Sequence, residues 1–236
     1  MADRPVRRLD ACRTLTPAAA GAQARACGRL GLLIALSAWL LPAHAGSLTV
    51  DVRTAQGAPV ENSVVWLESS ASPKPRLGSN AEIQQVKLEF VPFITVLPVG
   101  TRVDFPNRDK VKHHVYSFSP AKSFEIQLYS GSPTEPIVFD KPGVVVLGCN
   151  IHDWMEAYVV VVDSTWFAKA DASGHVALDG VPPGHYTAHV WHPYLKSAAS
   201  VQALDVTPAH DPQRLQWTVE LAVPMRKPRR PVDDHY

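Results

Sequence analysis

At 236 residues the chain can hold one large or two small domains and bury a real core. Its 23 Lys+Arg balance 22 Asp+Glu, and neither a basic helix nor a basic face is visible, which excludes nucleic acid as a partner. Cysteine is scarce: Cys12, Cys27 and Cys149 are all there are.

Residues 1–45 read as a secretory signal peptide. Arg4, Arg7, Arg8, Arg13, Arg25 and Arg29 precede the apolar run Leu30–Leu41, and Pro42-Ala43-His44-Ala45 supplies a cleavage site before Gly46. The rival reading, an uncleaved anchor, requires roughly 20 apolar residues where about a dozen stand. Cleavage leaves no stable membrane span and implies a periplasmic location. It removes six Arg and two Asp, leaving 17 Lys+Arg against 20 Asp+Glu, a net charge near −3. Cys12 and Cys27 leave as well. Cys149 is then a solitary thiol in an exported protein, where cysteines usually pair. It is a leftover, an intermolecular bridge or a metal ligand.

From Gly46 onward the pattern is β. Ser47–Arg53 alternates, Gln56–Pro59 punctuates and Val64–Leu67 follows, so residues 46–70 read as an N-terminal hairpin. Residues 69–82, with Pro73, Pro75 and Gly78, read as a loop. Further strands are expected at 86–90, 94–97, 101–105, 115–118, 124–128 and 137–139, then in two apolar runs, 143–148 and 156–162. Beyond Asp163 the turn 169–174, the strand 175–178, the turn 180–184 and strands at 185–191, 200–206 and 215–221 follow. Residues 223–236, basic and Pro-rich, read as a disordered tail. No stretch after residue 45 sustains a 3.6-residue apolar period. Short strands with turn signals about every 8–12 residues predict an all-β chain of two small β-sandwiches.

The chemistry concentrates at Cys149-x-x-His152-x-x-Met155, in the loop between the two Val-rich runs. A thiolate, an imidazole and a thioether spaced by three converge on one ion if the loop folds back on itself. Soft sulfur with imidazole suits copper, and two His with one Cys and a weak axial Met is the blue-copper set. The second His is His113 or His114, at the end of the loop that follows Thr101–Phe105. The rival readings are an inert buried thiol, Met155 as plain core, a zinc site of Cys149, His152, His113 and His114, and a Cys–His nucleophile, which would need an orienting residue and a cleft. His185, His189 and His192 read as surface or edge histidines, and Trp66 and Trp154 as partly buried packing residues.

These residues resemble the cupredoxin family, of the amicyanin and plastocyanin type, over about residues 84–162. The resemblance rests on Gly143 six positions before Cys149, the short Cys149–Met155 loop, and Val99-Gly100-Thr101-x-Val103-x-Phe105-x-Asn107 with His113 six residues later. It implies a Greek-key β-sandwich holding one mononuclear type 1 copper, with His113, Cys149 and His152 as strong ligands and Met155 axial. It also implies that Asn107 ties the two ligand loops together. The chain departs from the family at His114, where a polar Asn is common, and at Ile151 and Asp153, where Pro is often found. A carboxylate beside His152 favours Cu(II), so Asp153→Asn is expected to raise the midpoint potential.

The flanking segments resemble a second family, the carboxypeptidase-regulatory, transthyretin-like sandwiches. Ser47–Val52 with Gly57-x-Pro59 and Val64–Leu67 supplies its opening; Asp171-x-x-Gly174-x-Val176-x-Leu178, Val181-Pro182-x-Gly184-x-Tyr186 and Val190 supply the rest. Residues 46–70 and 163–222 are therefore expected to form one small sandwich into which the copper domain is inserted, with tandem order as the rival. Contacts of Val50 and Val65 with Tyr186 rather than Phe90 distinguish the two. Composites of this kind often carry a methylamine-utilisation label, though nothing in these residues speaks of methylamine. The expected function is non-enzymatic: single-electron transfer between redox partner proteins. The alternatives are a copper-binding or delivery module without redox turnover, and a structural sandwich with a stabilising metal.

Overall fold

The structure, a computed structural model, describes residues 46–70, 78–133, 135–197, 200–207 and 213–222. The leader expected at 1–45, residues 71–77 of the expected loop and the tail expected at 223–236 lie outside the described residues.

The described chain is all-β. In order it forms β1 (Gly46–Thr54), β2 (Val64–Glu68), β3 (Asn80–Glu82), β4 (Gln84–Val86), β5 (Glu89–Val91), β6 (Ile94–Pro98), β7 (Thr101–Asp104), β8 (His113–Ser119) and β9 (Lys122–Tyr129). It continues with β10 (Ile137–Phe139), β11 (Gly143–Gly148), β12 (Glu156–Val162), β13 (Phe167–Lys169), β14 (His175–Val181), β15 (Gly184–Trp191), β16 (Ser200–Val206) and β17 (Gln213–Val219). No helix among the described residues is long and apolar enough to cross a membrane.

Strand order groups these elements by where their apolar rows go. The sheets β14-β1-β17 and β13-β2-β15-β16 enclose one core, to which β1 gives Leu48, Val50 and Val52, β2 gives Val65 and Leu67, and β15 gives Tyr186, Ala188 and Val190. The sheets β6-β12-β11-β8-β9 and β10-β7-β3 enclose another, which contains Ile83, Phe90, Phe105, Phe139 and Leu147 together with Cys149 and Met155. Val50 and Val65 thus share a core with Tyr186, and Phe90 lies in the other.

Two strands are apolar on both faces, and their composition says why. In β12, Ala157, Val159 and Val161 enter the second core, while Val160 and Val162 join Val64, Ile94 and Trp191 in a third cluster. In β2, Val65 and Leu67 face the first core and Val64 faces the third cluster. A strand buried on both sides must lose its polar alternation and read as a continuous apolar run, as Val159–Val162 does. The third cluster packs the outer face of β2 and β15 on the outer face of β6 and β12, and Lys169 Nζ donates to the Ile94 carbonyl beside it at 3.1 Å.

Three local expectations are corrected. Residues 46–70 are not a hairpin, because β1 and β2 belong to different sheets. The chain does begin to fold back on β1, with Val60 N–H donating to Val52 O at 3.0 Å and Arg53 bridging Pro59. Pro59 has no N–H with which to extend the ladder, and Asn62, at φ +63°, turns the chain across the core edge into the other sheet. The strand expected at 86–90 is a tight hairpin, β4–β5, whose two turn residues Lys87 and Leu88 sit at φ +54° and +60°. The short strand β3 lies in the segment expected as a loop, and β13 precedes the turn expected at 169–174, where no strand was expected; each has only three residues, too few for a pattern to show.

Candidate metal centre

β11 and β12 pair antiparallel from Gly143↔Val161 to Gly148↔Glu156, so residues 149–155 are the connection of a hairpin rooted in the sheet. The connection closes on itself where Met155 N–H donates to the His152 carbonyl at 2.9 Å. A Cβ on Gly148, at its entry, would lie 2.7 Å from the outer end of the Tyr116 ring on the neighbouring strand β8, so that the ring would have to shift. Cys149 and Met155 are buried, His152 is half-buried, and Ile151 and Asp153 are exposed.

His113 opens β8, the strand beside β11, and its imidazole is fully buried. Its Nδ1 lies 3.9 Å from Cys149 Sγ, and His152 Nδ1 lies 3.6 Å from the same sulfur. The three ligand atoms fall within 4.8 Å of one another. These spacings suit a shared ion. Metal–sulfur and metal–nitrogen bonds of about 2.3 and 2.0 Å meeting near 120° place sulfur and nitrogen roughly 3.7 Å apart.

The far side of His113 fixes which nitrogen is available. Asp109 Oδ2 accepts from His113 Nε2 at 2.8 Å, so the proton sits on Nε2 and the Nδ1 lone pair faces the thiol. The same carboxylate accepts the Lys87 N–H at 2.6 Å (Oδ1) and the Leu88 N–H at 3.0 Å (Oδ2), which holds the strained 87–88 turn. The Leu88 carbonyl in turn accepts the Trp154 indole N–H at 3.1 Å, and the Trp154 ring packs 5.3 Å from that of His152.

The electrostatics follow from these contacts. Burial pushes the Cys149 thiol up, but the His113 imidazole and the N–H groups of His114, Ile151 and His152 outweigh it and leave the thiol below its ordinary value. Burial pulls His113 down, yet its bonds to Cys149 and Asp109 raise it overall. His152 is lowered, first by burial and then by the neighbouring His113. The site favours a thiolate between two imidazoles. Cys149, His113 and Asp109 have the connectivity of a nucleophile triad, with Cys149 4% and His113 0% exposed.

Of the residues singled out in sequence, His113, Cys149 and His152 come together and Met155 is buried in the same core cluster as Cys149. His114 is placed elsewhere, with its Nε2 2.8 Å from Glu125 Oε1 on β9, which removes it from the four-ligand zinc set. Asn107 orders its own loop and ties it to the end of β9: its Nδ2 donates to the carbonyls of Val111 (2.8 Å) and Tyr129 (3.1 Å), and its Oδ1 accepts the Asp109 N–H at 2.9 Å. The tie to the β4–β5 turn and Trp154 runs through Asp109, which sequence reasoning passed over. The available signal was weak, an Asn-x-Asp pair four residues before a histidine. His185 is exposed beside Asp205, His189 stacks on Trp66 with centroids 4.6 Å apart, and His192 packs against Tyr194; none joins the cluster.

No protein-family profile matches the chain, and no curated protein does. Among solved structures, a purple cupredoxin from Nitrosopumilus maritimus is 26% identical, over 35% of this chain and 99% of that one, with a TM-score of 0.31. A copper-containing nitrite reductase from Thermus scotoductus is 24% identical over 48% of this chain at a TM-score of 0.33, and the match spans only 28% of that enzyme. A reduced copper(I) form of an amicyanin variant is 17% identical over 42% of this chain and 98% of that one, at a TM-score of 0.32. The structures similar to part of this chain therefore include cupredoxins.

Proposed function

We propose that the protein is an exported type 1 copper protein that carries single electrons between partner proteins. The observation that supports this most directly is the convergence of His113 Nδ1, Cys149 Sγ and His152 Nδ1 at the spacing a single ion needs. Met155, 2% exposed and in one core cluster with Cys149, is the proposed axial ligand. Two imidazoles and one thiolate with a weak thioether suit copper better than zinc, which takes four strong ligands at a structural site. Copper, when bound, supplies a one-electron couple.

The residues divide the remaining work. Cys149 and His113, both buried, hold the ion and exclude water from it. His152, half-buried beside exposed Ile151, presents the ring edge by which an electron passes to a docked partner. The burial of Cys149 favours a carrier over an enzyme. In the same proposal, residues 84–162 form the copper domain, inserted into a transthyretin-like sandwich made by residues 46–70 and 163–222; the pairing of β1 with β14 and β17, and of β2 with β13 and β15, supports that division. A periplasmic location follows from the leader expected at residues 1–45.

Titration with Cu(II) tests this reading. An intense visible thiolate-to-Cu(II) band is expected, lost in Cys149→Ser and reversibly bleached by a reductant. A coloured protein that cannot be cycled would point to copper delivery, and a colourless one that prefers zinc would sink both copper readings.

A further inference from the structure

We infer that Asp109 is the positioning residue of this centre, fixing His113 directly and the opposite ligand loop through the 87–88 turn and Trp154. The inference rests on the copper reading above and adds to it how the site is held and biased. A closed path runs around the three ligand atoms. His113 donates to Asp109; Asp109 accepts the Lys87 and Leu88 N–H groups; Leu88 O accepts from Trp154; the Trp154 ring packs on His152; and His152 faces Cys149, which faces His113. The links from Asp109 to the 87–88 turn, from Leu88 to Trp154 and from Cys149 to His113 join different chain segments, so the ring ties β4–β5, the loop before β8 and the Cys149–Met155 connection into one unit.

The turn shows that this arrangement is imposed. Lys87 and Leu88 both hold left-handed backbone, φ +54° and +60°, without a glycine or asparagine between them. Such residues are strained and persist where the surroundings over-determine them. Here the surroundings are the two oxygens of Asp109, which take both N–H groups of the turn. The side chain of Asp109 is only 14% exposed, so water competes poorly for those oxygens.

A carboxylate at this place does two things that a neutral acceptor would not. It keeps the His113 proton on Nε2 and makes Nδ1 a better donor to the metal. It also sets a negative charge one imidazole away from the ion, which favours Cu(II) over Cu(I). Asp109 is a different carboxylate from Asp153, which is exposed on the other loop.

The test uses Asp109→Asn and Trp154→Phe in the whole protein, with cyclic voltammetry of the copper form and ring-nitrogen NMR of the metal-free form. Asp109→Asn is expected to lower the Cu(II)-to-Cu(I) affinity ratio about tenfold, a midpoint rise of about 59 mV for a one-electron couple. In the metal-free form it is expected to show both His113 tautomers where the native protein shows Nε2–H alone, and Asp109→Glu is expected to restore the single tautomer. Trp154→Phe, which keeps a ring on His152 and loses the indole N–H, is expected to speed exchange of the Met155 amide while leaving the His113 tautomer intact. An unchanged potential with an unchanged tautomer in Asp109→Asn overturns the inference. Should the native protein form no thiolate–copper band, the copper reading fails separately, and a single tautomer retained in metal-free Asp109→Asn still refutes the clamp.

Discussion

The two loops that carry the ligands are built in opposite ways. The loop leading to His113 is cross-bonded, with Arg108, Lys110 and Lys112 at the surface: Asn107 orders it, Asp109 anchors it, and the imidazole at its end is 0% exposed. The Cys149–Met155 connection buries its two ends, the sulfur residues, and leaves its middle, Ile151 to Asp153, at or near the surface. One loop holds and the other faces outward. A centre that must pass electrons without losing its ion needs both, a preorganised anchor and a single exposed edge.

Cavity rescue is the largest expected effect and the sharpest way to break that contrast. His113→Gly and His152→Gly should both lose the visible band, but added imidazole should restore it only in His152→Gly, where the vacated position is open to solvent. Equal rescue of both variants would show that the His113 side is not closed. Next comes Gly148→Ala, whose Cβ would meet the Tyr116 ring at 2.7 Å. Overpacking of this kind costs about 1–3 kcal/mol, measurable by denaturant unfolding of the metal-free protein; an unchanged midpoint would mean that Tyr116 swings aside freely.

Asp153→Asn should raise the midpoint potential, by less than Asp109→Asn does, because Asp153 is exposed on the outward-facing loop and its charge is screened by solvent. A larger shift from Asp153 would reverse the assignment of anchor and edge. The smallest effect concerns pH. Cys149 and His152 are held below their ordinary values and so reach their ligand forms readily, whereas His113 is raised above 6.5. His113 of the metal-free protein should therefore titrate above 6.5 by NMR; an imidazole that titrates below 6.5 would contradict the role given to its two hydrogen-bond partners, Cys149 and Asp109.

What could be read in the sequence depended on whether a residue's role was local. The Cys149–Met155 spacing is confined to one hairpin connection, and the Val runs on either side announce the strands that root it, so this half of the site was legible. The Asn107-to-His113 spacing and strand alternation both favour His113 over His114, and the structure sets them apart, His113 toward Cys149 and His114 toward Glu125. The role of Asp109 was not legible, because its partners lie at positions 87, 88 and 113 and nothing local marks a carboxylate that will bridge them. Val86–Phe90 misled for the same reason: its alternation favours a continuous strand, and a distant carboxylate bends it into a turn. The likeness of residues 46–70 to a hairpin failed where Val65 and Leu67 of β2 faced Val50 of β1 across a core instead of beside it.

X-ray absorption at the copper edge, on protein loaded with one equivalent of Cu(II), tests the central claim most directly. One copper per chain is expected, with two nitrogen neighbours and one sulfur in its inner shell, the sulfur disappearing in Cys149→Ser. A native copper shell of nitrogen and oxygen alone, with no sulfur scatterer, would contradict it.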